Sequence, residues 1–249
     1  MDNKTPNGAD SDPVLHDRGK AVERAFTAIA GTYDRMNDLI SLGTHRIAKR
    51  MMIEASGVAP GDRVLDLGGG TGDMTVRFGA ITGEKGFVVL ADSNRAMLEV
   101  AGRRVASGGN CRHAACVAAD TLDLPFADDT FDCVAISFGV RNFIDIPGAL
   151  RAVRRVLRPG GTLVVLDFSK PRNRFLRAAF HRYLSGWVPC AARLFTGQDE
   201  SYRYLAASVR AHPDQETLCG MMNAAGFHAC GYRNIMNGIL ALHSGRSGP

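Results

Sequence analysis

Apolar and polar positions along the chain follow two periods. Short continuous apolar runs at 64–67, 86–92, 114–119, 131–139 and 162–168 have the length of buried strands. Between and around them, apolar residues recur at helical spacing. Met97, Ala101 and Val105 form one such stripe; Ile146, Leu150, Val153 and Leu157 form another; Leu218, Met221, Met222 and Ala225 form a third. Upstream, Val22, Phe26 and Ile29 predict a helix from Lys20 to about Gly31. Asp145 is placed to cap the second stripe, and Pro159-Gly160-Gly161 to stop it. His212-Pro213-Asp214-Gln215-Glu216 reads as a helix start. Strands alternating with helices predict an α/β fold around a mostly parallel sheet with helices on both faces. The last two strand candidates, 228–235 and 238–243, meet at Met236-Asn237-Gly238, where Asn-Gly predicts an antiparallel hairpin.

Several runs end in an acid, and the first breaks into glycines: Asp66, Gly68, Gly70 and Gly72, with Thr71 and Asp73 between and after them. Glycines permit a tight turn and leave no Cβ in a ligand's way. A helix beginning near Thr71 would aim backbone N–H groups at that ligand. A dinucleotide fingerprint needs a third small residue at position 73, where Asp73 would face a pyrophosphate. The Asp-x-Gly-x-Gly-x-Gly pattern instead resembles the S-adenosylmethionine loop of class I methyltransferases, whose ligand carries cations and no phosphate; Asp66 and Asp73 would be favourable neighbours for it. Asp92 follows about 20 residues later at a strand end, where an α/β nucleotide site places the carboxylate for the ribose hydroxyls. Asp120-Thr121 and Ser137 also stand at strand ends. In class I methyltransferases an acid at the position of Asp120 accepts from adenine, and Leu124-Pro125-Phe126 offers an apolar edge for the base. Beyond Ser137, Arg141-Asn142 would face the substrate. Tyr33-Asp34-Arg35-Met36-Asn37-Asp38-Leu39 reads either as a helix cap or as a lid and substrate wall.

Composition narrows the classes. With 249 residues, 45% hydrophobic and 22% charged, the chain suits one large globular domain. The six cysteines show no C-x-x-C pair and no zinc spacing, so a reducing cytosol and no metal are expected. The net charge of +5 is uneven. Residues 169–197 contain no acid but hold Lys170, Arg172, Arg174, Arg177, Arg182 and Arg193 among aromatic and aliphatic side chains. Such a basic amphipathic segment can lie on anionic lipid, cover a substrate mouth, or simply pack. Arg151, Arg154, Arg155 and Arg158 are expected as a solvated face. Residues 1–19 are expected to be a disordered tail, and no run reaches the length of a membrane span.

Several segments together resemble the ubiquinone/menaquinone biosynthesis C-methyltransferase family: Tyr33 to Asp38, Leu65 to Asp73, Leu90-Ala91-Asp92, Leu124-Pro125-Phe126, Thr130-Phe131-Asp132, Ser137-Phe138-Gly139-Val140-Arg141-Asn142, Leu157 to Gly161, Ser201-Tyr202-Arg203-Tyr204-Leu205 and His212-Pro213-Asp214-Gln215. The resemblance runs in register from about Val22 to His243. It implies a class I, Rossmann-like methyltransferase domain over 20–249 with a helical substrate cap at about 170–211. The implied reaction is S-adenosylmethionine-dependent methylation of a ring carbon of a prenylated quinol. The cofactor residues are then Asp66, Gly68, Gly70, Thr71, Gly72, Asp92, Asp120, Thr121 and Ser137. Arg141 would stabilise the quinolate oxygen, with Tyr33, Asn142 and Tyr204 orienting the ring hydroxyls. Gly69 stands where the family often has Ala, and Asp120 where some relatives have Asn. The expected setting is cytoplasmic, with peripheral contact to a membrane surface or a quinone-synthesis complex, room for a homodimer, and no nucleic acid. Three other readings stay open: an NAD(P)-dependent oxidoreductase, a methyltransferase for another phenolic lipid or natural product, and a non-catalytic scaffold that keeps the fold.

Overall fold

The structure is a computed structural model that describes residues 22–24, 26–27, 29–31, 33–41, 43–108, 113–190, 193 and 199–248. The tail expected over 1–19 lies outside them. Seven strands form one sheet: β1 (Arg63–Leu67), β2 (Phe87–Asp92), β3 (Ala114–Ala118), β4 (Phe131–Ser137), β5 (Leu157–Phe168), β6 (Phe227–Ile235) and β7 (Leu240–Ser247). The order is β3-β2-β1-β4-β5-β7-β6. The first five strands pair in parallel, and β7 runs antiparallel to both β5 and β6. Strand order reverses between β1 and β4, and their carboxyl ends therefore open a crevice.

The helices are α1 (Tyr33–Ser41), α2 (Thr44–Ser56), α3 (Asp73–Thr82), α4 (Arg95–Ser107), α5 (Ile146–Val156), α6 (Arg174–Arg182), α7 (Asp199–Ala211) and α8 (Gln215–Ala224). Successive strand residues point to opposite faces, and each face buries a separate layer. Leu65, Val134 and Ile136 pack with Leu150 and Val153 of α5 and Leu218 and Met222 of α8. Val64, Val88 and Ala135 pack with Met52 of α2 and Met74 and Phe78 of α3. A third cluster joins Ile29 to Phe180 and Leu184, together with Val209 of α7.

Several boundaries depart from expectation for local reasons. The second stripe ends at Val156, and Leu157 already pairs with Phe131, so Pro159-Gly160-Gly161 falls inside a register shift of β5. Asp145 occupies the N-cap position of α5, but its side chain makes no cap bond. Asp214 does cap α8, its carboxylate accepting from Thr217 N at 2.9 Å. The hairpin forms at Met236–Gly238, where Met236, Asn237 and Gly238 all have positive φ. The arginines of α5 and β5 do more than face solvent. Arg155 donates to the carbonyls of Leu124 and Phe126, Arg154 to Gly248 O, and Arg158 pairs with Asp132. Leu124 and Phe126 are thereby held in the core, Phe126 edge-on to Phe131, and neither lines the crevice.

Candidate active site

The crevice between β1 and β4 holds a cavity of about 330 Å³, floored by the glycine loop. Gly68, Gly70 and Gly72 have φ of +66°, +54° and +81°, a region closed to most side chains. The loop folds tightly onto the strand it leaves. A Cβ on Gly69 would come within 2.6 Å of Leu90 Cγ and 2.9 Å of Asp66 Oδ2. The glycine N–H groups are used within the protein. Gly68 N donates to Ala91 O at 2.7 Å, Gly70 N to Asp92 Oδ2 at 2.9 Å, and Gly72 N to Gly69 O at 3.0 Å. Helix α3 starts at Asp73, not near Thr71. A pyrophosphate would need those N–H groups free, so the loop as built does not suit a dinucleotide.

Acids surround this cavity, each in a different state. Asp66 is fully buried; Oδ2 accepts from Thr75 at 2.6 Å, while Oδ1 has no partner. Burial pushes its carboxyl up to about 6, against the pull of the Thr75 hydroxyl and Lys49. Asp92 accepts from Gly70 N and Asn94 N, both at 2.9 Å; burial raises its carboxyl and these N–H groups oppose the rise. Asp73 was expected to answer a cation on the ligand, but it already has partners: Lys49 Nζ at 3.0 Å and Arg77 Nε at 3.1 Å. Burial would raise its carboxyl; these two cations outweigh that and hold it below the ordinary value. Asp120 is exposed and turns back to accept from Leu122 N at 2.9 Å. Thr121 lines the cavity beside it, and Ser137 Oγ lies buried there without a partner.

A second, mostly apolar cavity of about 400 Å³ adjoins the first. Phe168, Leu176, Phe180, Leu184 and Ile239 supply much of its wall. Phe26, Tyr33, Asn37 and Phe138 line both cavities and so form their junction. Tyr33 and Asn37 lie inside α1, so the segment is itself a helix rather than the cap of one beginning at Leu39. Asp34 pins this helix to the loop: Thr71 Oγ1 donates to its carboxylate at 2.9 Å, and Arg104 pairs with it. Phe138 holds its place with φ +57°, a strained conformation for an aromatic residue at a strand end.

Arg141 reaches the apolar cavity from below. It is 4% exposed and donates through Nη1 to Asp167 Oδ1 at 2.8 Å and to Phe138 O. Its backbone N–H also donates to Asp167 Oδ2 at 3.1 Å, and its guanidinium lies over the Phe168 ring. Burial opposes its charge, and the Asp167 carboxylate more than restores it. Tyr204 of α7 lines the same cavity and donates to Asn142 Oδ1 at 3.1 Å; Asn142 faces the glycine-loop cavity. Of the residues expected at the site, all line one cavity or the other except Gly72, which turns the loop beneath, and the Leu124–Phe126 edge. Sequence reasoning missed Lys49, His45 and Asp167; Asn37 it named only within the Tyr33–Leu39 segment. Asp167 carried a usable signal, an acid closing an apolar strand as Asp66 and Asp92 do. His45 carried none; it lines the apolar cavity with Nδ1 at 2.6 Å from Ser41 Oγ, and burial lowers its basicity. No cluster of three or more His, Cys, Asp or Glu able to hold a metal occurs among the described residues.

A family model, the ubiE/COQ5 methyltransferase family, matches residues 14–247. The chain belongs to this family. A ubiquinone/menaquinone biosynthesis C-methyltransferase UbiE from Teredinibacter turnerae is 49% identical over 229 residues, 92% of each chain. Its Pseudomonas aeruginosa counterpart is 46% identical over 252 residues, 98% of each. Solved structures share the fold. A SAM-dependent methyltransferase from Aquifex aeolicus aligns with TM-score 0.60 at 17% identity, over 80% of this chain and 89% of that one. The [4+2]-cyclase SpnF aligns with TM-score 0.62 at 16% identity, over 92% and 97%. The cyclase shows that this fold alone does not name a reaction. Members of the ubiE/COQ5 family are methyltransferases, and the methyl donor is S-adenosylmethionine. The residues present fit that group: the Asp92 carboxylate and the buried, unpartnered Ser137 hydroxyl line a cleft floored by a glycine loop.

Proposed function

We propose that this protein transfers the methyl group of S-adenosylmethionine to a ring carbon of a prenylated quinol, demethylmenaquinol or 2-methoxy-6-polyprenyl-1,4-benzoquinol, in menaquinone or ubiquinone biosynthesis. The observation that carries the reading is the meeting of two unlike cavities at Phe26, Tyr33, Asn37 and Phe138. One is acidic and glycine-lined, suited to a cationic nucleoside; the other is apolar, suited to a ring with a hydrocarbon tail. The relatives' names point to the same substrates.

When bound, S-adenosylmethionine supplies an electrophilic methyl on a sulfonium. In this reading Asp92 takes the ribose hydroxyls, and Asp120, Thr121 and Ser137 lie along the adenosine. Asp66 acts through its field, because the loop covers it. On the substrate side, a ring carbon becomes nucleophilic as its neighbouring hydroxyl loses a proton. Arg141, kept charged by Asp167, sits where it can stabilise that oxygen; such a group is typically worth about 10²–10³ in rate. Because an arginine stays protonated, that proton leaves to water or another base; once the methyl has moved from sulfur to the ring carbon, the hydrogen on that carbon leaves as a proton and the oxygen regains one, so one proton is released in all. Tyr204 and Asn142, joined by their hydrogen bond, and Tyr33 at the junction orient the ring. Orientation of this kind supplies several kcal/mol.

Helices α6 and α7 cap the apolar cavity. Around its mouth, Phe175 is 72% exposed and Trp187 and Met236 stand out to solvent, among the exposed Arg172, Arg174, Arg177 and Arg182. We infer that this cap rests on an anionic membrane surface, from which the tail enters. No helix among the described residues is long and apolar enough to cross a membrane. Sedimentation with vesicles should depend on anionic lipid, and a lack of dependence would refute the contact. For the reaction, purified protein is incubated with S-adenosylmethionine and each reduced quinone, and the ring mass is read. A gain of one methyl supports the reading and names the head group. Cofactor binding with no gain on either quinol would sink it in favour of another phenolic acceptor or a scaffold.

A further inference from the structure

The glycine-loop cavity is strongly biased in charge. Its lining includes Glu23, Asp66, Asp73, Asp92 and Asp120, and among the described residues a single cation, Lys49. The ligand assigned to this cavity has two cations, a sulfonium and an ammonium, and one anion, its α-carboxylate. Asp73 is already paired within the protein, and the other four acids answer the cations. We propose that Lys49 is the group that binds the carboxylate, and so makes the site select an intact amino-acid end. This inference rests on the reading of the cavity as an S-adenosylmethionine site.

Placement supports it. Lys49 lies on the buried face of α2, whose Ala48, Met52 and Ser56 pack inward with it. Its side chain is 11% exposed. A buried ammonium is costly unless paired, and among the described residues only Asp73 Oδ2 accepts from it, at 3.0 Å. An ammonium has three hydrogens, so two remain for a ligand. Asp73 is not left dependent on it, since Arg77 also donates to both of its oxygens. The two acids nearest Lys49 in effect, Asp66 and Asp73, flank the glycine loop at the end of β1. Asp92 and Asp120 mark the other end of the cavity, at β2 and β3, where the ribose and base belong. Lys49 thus stands at the amino-acid end. Two other cations stand near the loop, and neither lines the cavity: Arg77 is held by Asp73, and the Arg104 guanidinium is taken by Asp34 and Thr71.

The test compares two ligands on the wild type, K49M and K49R by calorimetric titration. One ligand is S-adenosylhomocysteine; the other is its decarboxylated analogue, identical except for the missing carboxylate. A charge-assisted bond contributes about 1.5–3 kcal/mol, which corresponds to about 10- to 150-fold in affinity. The wild type should therefore prefer the carboxylated ligand by that factor. K49M should lose the preference while binding the analogue as the wild type does, and K49R should restore part of it. Equal binding of both ligands by the wild type overturns the proposal without need of any variant. So does equal weakening of both ligands in K49M, which would make Lys49 a structural partner of Asp73. A K49M protein that does not fold leaves the decision to the wild type and K49R, where a K49R preference equal to none overturns it. If the wild type binds neither ligand, the cofactor reading itself fails, and that outcome is distinct.

Discussion

Asp66→Asn should make the ligand-free protein more stable and bind its cofactor less well. The Asp66 carboxyl has no solvent exposure, one oxygen satisfied by Thr75 and one unpaired. Its folded value of about 6 lies above the 3.8 of an unperturbed group. The folded state therefore holds the proton more tightly, and stability falls as pH rises from 3.8 through about 6. At pH 7.5 the full cost of the buried charge is present, about 3 kcal/mol at 1.36 kcal/mol per pH unit. By pH 5, protonation relieves about 1 kcal/mol of it. The amide keeps the Thr75 bond and does not titrate. It adds a buried N–H₂ whose unmet hydrogen bonds cost about 1 kcal/mol or more at every pH. The variant should thus gain up to about 2 kcal/mol over the wild type at pH 7.5, and the gain should shrink by about 1 kcal/mol at pH 5. Urea unfolding at pH 5.0, 6.0 and 7.5 reads both. A wild-type–variant difference that stays constant across this range would refute a raised Asp66. Titration with S-adenosylhomocysteine should show about tenfold weaker binding by the variant, the size of a charge acting through a few ångströms of protein rather than by contact.

Other consequences are equally specific. Arg141→Ala should cut turnover by about 10²-fold or more and destabilise the fold by about 3–5 kcal/mol, because Asp167 is left buried and unpaired; chemical unfolding beside single-turnover methylation separates the two effects. Tyr204→Phe should lower kcat about fivefold through the lost bond to Asn142, worth about 1 kcal/mol, with cofactor affinity unchanged by titration. Gly69→Ala should cost about 1–3 kcal/mol by forcing a Cβ against Leu90, read as a lowered Tm.

The strand-and-helix alternation, the terminal hairpin and the acids at the ends of β1 and β2 were legible because each is a local pattern. Asp66 and Asp92 announce themselves by closing apolar runs, and their roles follow from where parallel strands end. Lys49 gave no such signal. It sits on an amphipathic helix ahead of the sheet, and only the folding of α2 over the crevice brings it there. Spacing also misjudged charge. Asp73 stands in the motif like a ligand group, yet a lysine 24 positions earlier neutralises it. An alanine in place of Gly69, which looks harmless in the sequence as a small-for-small exchange, would set its Cβ against Leu90 and Asp66 across the loop. Arg141 was placed correctly at a strand end, but its buried partner Asp167 comes from the next strand and changes it from a surface cation into half of an ion pair.

The position of β7 has a consequence for how the protein is made. It follows β6 in sequence but lies inside the sheet, between β5 and β6. During synthesis the outer edge of β5 has no neighbour until β7 emerges, and β6 has nothing to pair with. An unpaired edge of apolar residues, Leu163 to Leu166, is a template for other chains. The segment that fills the gap is therefore the last of these seven strands to be made. Assembly of the cavities waits on the same event, because Leu240 of β7 and Ile239 beside it wall the apolar cavity.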